Sequence, residues 1–595
     1  MLLAACGGGG GSGAGASSTP ATTFTVGGTV SGLSGFGLVL QNNGGSNLAV
    51  SAPGNFTFAA HLPSGAGYSV TVATQPSSPT QNCVVANGSG AVGNANVTNV
   101  AVVCSTGAFT TLANQPPGAG YLSLLLTDGS VMMQSTNDSG VFYKLTPDSQ
   151  GSYINGTWSQ LASPPAGYEP YDGAQVVLAD GRVLFVGGEY NQNVYTLPFA
   201  PSGLTNMSAM YDPVADSWTM IAAPPGVDYI GDTTSAVLAD GQFVFGTKLG
   251  RAMWRLDPVS LTWASVPATG KADNFAEEGW TLLPNGNLFT IDVGNPLHAE
   301  HYDPSSAQWY SDGNTPEGLT SPSGTPGGLT YGPAPVQIVG GVTYGPGSAG
   351  TYFPPGEIGP AILLPDGTVF ATGAAANGMA AHTAIYTPGP TPAAAGSFTA
   401  GPDFHAGDDA ADSSAVLLPS GHVLIATDSA TFYEYDGATL SITGVLPNNG
   451  GSTLYFVLPL PNGQALVTGG VTRIYSGSGS ANPAWAPTIA NAPATITRGA
   501  TYAISGMQFN GLSQAAAFGD ELNAATNYPL VRITNTASHH VIYARTHGHS
   551  SMGVATGSAI VSTSFDVPAG AEPGASSLVV VANGIASTPV TTTVN

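Results

Sequence analysis

One local pattern recurs seven times along this 595-residue chain: a short apolar run, a polar residue followed by glycine, then a second apolar run. The corner glycines are Gly129, Gly181, Gly241, Gly286, Gly367, Gly421 and Gly463, preceded by Asp128, Asp180, Asp240, Asn285, Asp366, Ser420 and Asn462. Asp-Gly and Asn-Gly between apolar runs are strong hairpin signals, and they predict type I′ turns with both central residues at positive φ. Successive corners lie 42 to 81 residues apart, and most spacings leave room for four short strands per repeat. Repeats of that size describe propeller blades, seven of them. The widest spacing fits a Gly/Pro-rich insertion over residues 313–355 within one blade. With 82 glycines and 46 prolines the chain is punctuated too often for long helices, yet 42% of it is hydrophobic, which suits an all-β core.

Three blades add a second signal, an Asp-Pro step with a tryptophan six residues after the Asp. The pairs are Asp212 with Trp218, Asp257 with Trp263, and Asp303 with Trp309. Asp-Pro opens a tight turn, and the tryptophan is expected to pack between neighbouring sheets. Ahead of the repeats, residues 24–105 carry short alternating runs separated by Gly, Asn and Pro, the pattern of a small β-sandwich. Cys83 and Cys104 lie in that segment, 21 positions apart. They either close one disulfide loop, which implies an oxidising compartment, or stay as two buried thiols. Lys plus Arg number 10 against 34 Asp plus Glu, a net charge of −24, which repels phosphate backbones and excludes nucleic acid as a partner. No stretch approaches the roughly 20 apolar residues of a membrane-spanning helix.

Two resemblances add to this reading. Leu3-Ala4-Ala5-Cys6, followed by a Gly/Ser-rich tether to residue 23, resembles the lipobox of bacterial lipoproteins. It implies a lipidated Cys6, a leader encoded upstream, contact with membrane through that lipid anchor only, and a cell-envelope or extracellular location. The tandem Gly187-Gly188 and the blocks 277–286 and 359–369 resemble the kelch repeats of the galactose-oxidase-like group. That resemblance covers roughly residues 106–595. It implies a seven-bladed propeller over 106–486 and an immunoglobulin-like domain over 487–595. It also implies a copper centre with two tyrosines, two histidines and a Tyr–Cys thioether. This chain departs from the pattern there. No cysteine follows residue 104, and Glu357-Ile358 stands where the group has Tyr-His. A copper-radical cofactor is therefore not expected.

Acidic residues mark the same region. Seven to nine positions before the corner's polar residue, at the entrance to the innermost strand, stand Asp172, Asp232, Glu277 with Glu278, Glu357 and Asp412, in five of seven blades. Equivalent positions in successive blades ring the channel mouth. These carboxylates either cap loop amides and face water, or line a pocket for a cation or a hydroxyl-rich ligand. Asp408 and Asp409 extend the same rim. His547 and His549, two apart on a predicted strand, lie where the related group sends a histidine up the channel, and their alternative role is a hydrogen-bonded wedge between domains. The expected metal set is His547, His549, Glu277 and Glu357, for calcium, or for zinc or manganese if the histidines take part. The leading functional expectation is binding of carbohydrate or another polyhydroxylated ligand at the mouth. The second is a metal-assisted hydrolase or lyase acting on an extracellular polymer.

Overall fold

The computed structural model describes residues 22–595 except 32, 34–35, 77–80, 106, 192–203, 323–328, 332, 334, 354, 376–378, 448–453 and 520–522. Cys6 lies outside the described residues. The chain divides into two units, at Thr106 and Gly107. In the first, two four-stranded sheets enclose a core that includes Val26, Val30, Leu38, Leu40, Val100 and Val102. Cys83 and Cys104 face each other across the strands Asn82–Ala86 and Val97–Ser105 and are joined in a disulfide.

The second unit is built on seven antiparallel sheets, six of four strands and the sixth blade's of five. The first blade runs Gly120–Leu125, Val131–Ser135, Phe142–Thr146 and Thr157–Gln160. The seventh takes three strands from Phe456–Pro459, Ala465–Thr468 and Arg473–Ser476. Its outermost strand, Ala108–Thr111, comes from the beginning of the unit, so the ring is closed by pairing its two ends. Closure of the ring leaves only short, protected strand edges.

The corners are hairpins, but not type I′. Only the glycine has positive φ, from 74° to 89° in all seven. In the first corner Gly129 N–H donates to Leu126 O and Leu126 N–H to Ser130 O, a type I turn closed by a left-handed glycine. The polar residue before glycine has a different task. Its side-chain oxygen accepts the amide two residues on: Asp128 from Ser130, Asp180 from Arg182, Asp240 from Gln242, Asn285 from Asn287, Asp366 from Thr368, Ser420 from His422 and Asn462 from Gln464. That local bond, rather than tolerance of positive φ, selects Asp, Asn or Ser there. The tryptophans pack between blades as the spacing predicts: Trp218 Nε1 donates to Ala162 O and Trp263 Nε1 to Ala222 O, each on the preceding blade.

The insertion after Asn314 does not lie within a blade. It leaves the outer strand of the fourth blade, forms two small hairpins, and returns to the inner strand of the fifth at Ala361. On the way it reaches the second and fourth blades: Tyr344 OH donates to Ile221 O (2.5 Å) and Tyr352 OH to Glu277 Oε1 (2.9 Å). After the propeller, the strands from Thr488 to Val594 form a curled β-sandwich around Ile504, Val531, Phe565 and Val580. It docks on the corner side of blades one to three, where Thr546 N–H donates to Thr127 O and His549 N–H to Ala179 O.

The disulfide closes a loop across the edge of a small domain with a limited core. Replacing Cys83 and Cys104 by serine is expected to cost about 3 kcal/mol of that unit's stability. Urea unfolding followed in the full chain should show an earlier first transition, and thiol reagents should not label Cys83 or Cys104 in the unreduced native protein.

Candidate functional site

Five of the six predicted carboxylates converge at the mouth, and the turns that present them are alike. Asp172, Glu277 and Asp412 all have left-handed backbones, with φ of 48°, 57° and 46°. Such backbones are uncommon outside glycine and cost on the order of 1 kcal/mol or more. Their recurrence just ahead of the innermost strand marks one local turn repeated in three blades.

At the centre is a residue the repeat does not announce, Lys248. Its ammonium pairs with Asp232, with Glu277 (2.7 Å) and with Glu189 (3.6 Å), and its side chain is 1% exposed. Burial opposes its charge, but Asp232, Glu189 and Glu277 together hold its pKa above the ordinary lysine value. The Tyr352 ring from the insertion lies 5.3 Å from the ammonium. On the other side Tyr121 OH donates to Asp172, and Tyr121 stacks on Tyr171 at 4.2 Å. Tyr190 lies next in line, 6.5 Å from Tyr171, and both outer rings are half-buried. Glu357 hydrogen-bonds Asp412, and both are half-buried.

Six carboxylates and one lysine leave an excess of negative charge, and the acids respond. Burial first, then repulsion from Glu189 and Asp412, raises Asp172 well above the usual carboxylate range. Glu189 is raised by burial and by Glu277. Asp412 is pushed up to about 6 by burial, then Glu277 and Glu189, despite the Glu357 hydrogen bond. The arrangement can accept hydroxyl protons, hold a cation, or place a protonated carboxyl beside an ionised one.

The remaining predicted residues are elsewhere. Glu278 points away from Glu277 into a second buried cage inside the fourth blade, where Lys271 pairs with Asp273, Glu278 (2.7 Å), Glu300 (2.7 Å) and Asp292 (3.5 Å). Two overlapping sets there, Asp292–His298–Glu300 and Asp273–Glu278–Asp292, have ligand atoms within 4.8 Å of one another and could hold a metal ion. The lysine ammonium already supplies the positive charge among these carboxylates. Burial, with Lys271 opposing and Glu300 adding, pushes Asp292 up to about 9. Asp408 is engaged by the hydroxyls of Ser429 and Tyr433 inside the sixth blade, and Asp409 lies beside it, raised mainly by burial.

His547 and His549 do not reach the channel mouth. His547 Nε2 bonds Asp566 (3.1 Å) and His549 Nδ1 bonds Thr563 (2.9 Å), both within the C-terminal sandwich at its contact with the corners. Burial pushes His549 down to about 3, so the ring is neutral. Both imidazoles are held within the sandwich, and the set His547, His549, Glu277 and Glu357 is not assembled. The segment that does enter the channel is Ala516–Phe518, which adds a fifth strand to the sixth blade.

No protein-family model matches the chain. A Kelch-like protein, terF, from Aspergillus terreus is 32% identical over 135 residues, 22% of this chain and 26% of that protein, so the match spans about a quarter of the relative's length. The chain is thus similar over that stretch to a Kelch-like protein, and its own seven blades form a propeller followed by a β-sandwich. Among solved structures, a fungal alcohol oxidase of the AA5 family in complex with copper aligns over 82% of this chain and all of its own, at 14% identity and a TM-score of 0.43. The donors of this chain do not fit a Tyr–Cys copper centre. Its cysteines are Cys6, Cys83 and Cys104, the last two in a disulfide of the first unit. The mouth offers carboxylates, tyrosines and a lysine, with no histidine among the described residues that form it.

Two predictions follow from the cage. Lys248→Met leaves several buried carboxylates without their cation and should destabilise the protein by about 3–5 kcal/mol in urea unfolding near pH 7. The loss should shrink near pH 5, where the acids take up protons. In the wild type, a carboxyl whose folded pKa lies above its unfolded value stabilises as the acid. That contribution is complete below the unfolded value near 4 and is lost as pH rises through about 6. The melting temperature should therefore fall between those values, and Asp412→Asn should flatten the fall.

Proposed function

We propose that this is an exported cell-envelope protein whose propeller mouth binds a carbohydrate or a similar polyhydroxylated ligand, and that it is not a copper-radical oxidase. The observation that carries this reading is the pairing of half-buried aromatic faces, Tyr171 and Tyr190, with half-buried carboxylates, Asp172, Glu189, Glu357 and Asp412. Carboxylates accept hydrogen bonds from hydroxyls, and aromatic faces pack against the C–H faces of sugar rings. Export is supported by the Cys83–Cys104 disulfide, and lipidation of Cys6 would supply the anchor.

A divalent cation is a second guest for the same acids, favoured by the surplus of negative charge around Lys248. With oxygen donors alone the ion would be calcium rather than zinc. The alternative activity, a hydrolase or lyase, draws support from the hydrogen-bonded Glu357–Asp412 pair, in which one carboxyl can act as acid and the other as base.

A glycan array should identify oligosaccharides bound by the wild type. Tyr190→Ala and Glu357→Gln should each weaken the tightest of them at least about tenfold in Kd, with circular dichroism unchanged. Unaltered binding in both variants, or no binding to any glycan by the wild type, rejects the reading. Chelator that lowers the melting temperature, with recovery on adding calcium, would favour the cation.

A further inference from the structure

The β-sandwich sends one segment, described over residues 513–519 and 523–527, up the propeller channel. Gln514 Oε1 accepts from Leu282 N–H (2.7 Å), Asn523 Nδ2 donates to Ser235 O (3.0 Å), and Ala516–Phe518 pairs with the innermost strand of the sixth blade. Its residues up to Gly519 reach the underside of the carboxylate loops. Gly519 N–H donates to Ser413 O (3.1 Å), next to Asp412. A Cβ on Gly519 would lie 2.4 Å from Ile358 O, next to Glu357, and 3.5 Å from the Asp412 amide nitrogen. A Cβ on Gly279, two residues after Glu277, would lie 2.9 Å from Gly519 O. The preceding ring, Phe518, stacks on Phe456 at 5.7 Å and shares an apolar cluster with Tyr121, whose hydroxyl holds Asp172.

Gly519 therefore touches the backbone beside carboxylates of the fourth, fifth and sixth blades, and Phe518 joins the aromatic cluster whose Tyr121 is bonded to the carboxylate of the second. We propose that Phe518–Gly519 forms the floor of the mouth and sets the spacing of its carboxylates, with Gly519 the positioning residue for Glu357 and Asp412. The propeller alone cannot fix that spacing, because each carboxylate hangs on a separate blade. A backbone approach this close admits only glycine: an added methyl would push Ile358, and with it Glu357, away from Asp412. The C-terminal domain then contributes to ligand recognition through backbone contacts rather than by lending a side chain.

The proposal rests on the mouth being the ligand site, so its first test uses no ligand. Labelling phenylalanine carbonyls with ¹³C and glycine nitrogens with ¹⁵N gives signals from only three Phe–Gly pairs, at Gly37, Gly246 and Gly519. Glu357→Gln and Asp412→Asn should each move the Gly519 signal by more than a linewidth and leave the other two in place. The second test compares Gly519→Ala with Asn523→Ala, which removes the segment's hydrogen bond to Ser235 O. On the oligosaccharides of the array, Gly519→Ala should lose at least about tenfold in affinity, while Asn523→Ala lowers the melting temperature and keeps affinity. A Gly519 signal unmoved by both acid substitutions overturns the proposal, as does a folded Gly519→Ala that binds like the wild type. If Gly519→Ala does not fold, the labelling experiment decides. If the wild type binds no glycan, the functional reading fails while the labelling experiment still tests the floor.

Discussion

A buried ammonium amid surplus carboxylates is the constraint around which the rest of this structure is arranged. The chain has three lysines in 595 residues, and two of them, Lys248 and Lys271, are almost wholly enclosed by acids. Removing two charges from water costs several kcal/mol per ion, so such a group is stable only if its partners are held in place. The partners here come from different blades: Glu189 from the second, Asp232 from the third and Glu277 from the loop entering the fourth. Holding Lys248 therefore means holding three blades in register, and the insertion's Tyr352 completes the enclosure by bonding Glu277 and covering the ammonium.

The fold was legible because it is repeated. Seven polar–Gly corners and the Asp-Pro tryptophan steps are local signals, and each names its own hairpin or turn without knowledge of distant contacts. The reason assigned to the corner was incomplete: the Asp128 side chain matters for the Ser130 amide it accepts, while Gly129 alone takes positive φ. The insertion was legible as an interruption but not as a strap, since its partners Ile221 and Glu277 are far away in sequence.

The site was half legible, for a related reason. Carboxylates at equivalent repeat positions must approach one axis, so Asp172, Asp232, Glu277, Glu357 and Asp412 could be picked out by spacing. Lys248 and Glu189 break the repeat, and their signal was the rarity of lysine in an acidic chain, next to the position where the second blade has Gly187-Gly188. Glu278 was misplaced because the left-handed turn at Glu277 aims the two adjacent side chains apart, one to Lys248 and the other to Lys271. His547 and His549 were placed by analogy, whereas Ala516–Phe518 occupies the channel.

Taken together, the corners build the blades, the blades bring the acids to one axis, and Lys248 makes their proximity tolerable while leaving an outer rim of half-buried carboxylates and tyrosines. The state of that lysine tests the account most directly. With ¹⁵N-labelled lysine the protein gives three side-chain signals, assigned by Lys→Arg substitution of each in turn. The account predicts that Lys248 and Lys271 keep ammonium shifts well past pH 10.4, where an ordinary lysine loses its proton. Deprotonation of Lys248 at or below that pH would contradict it.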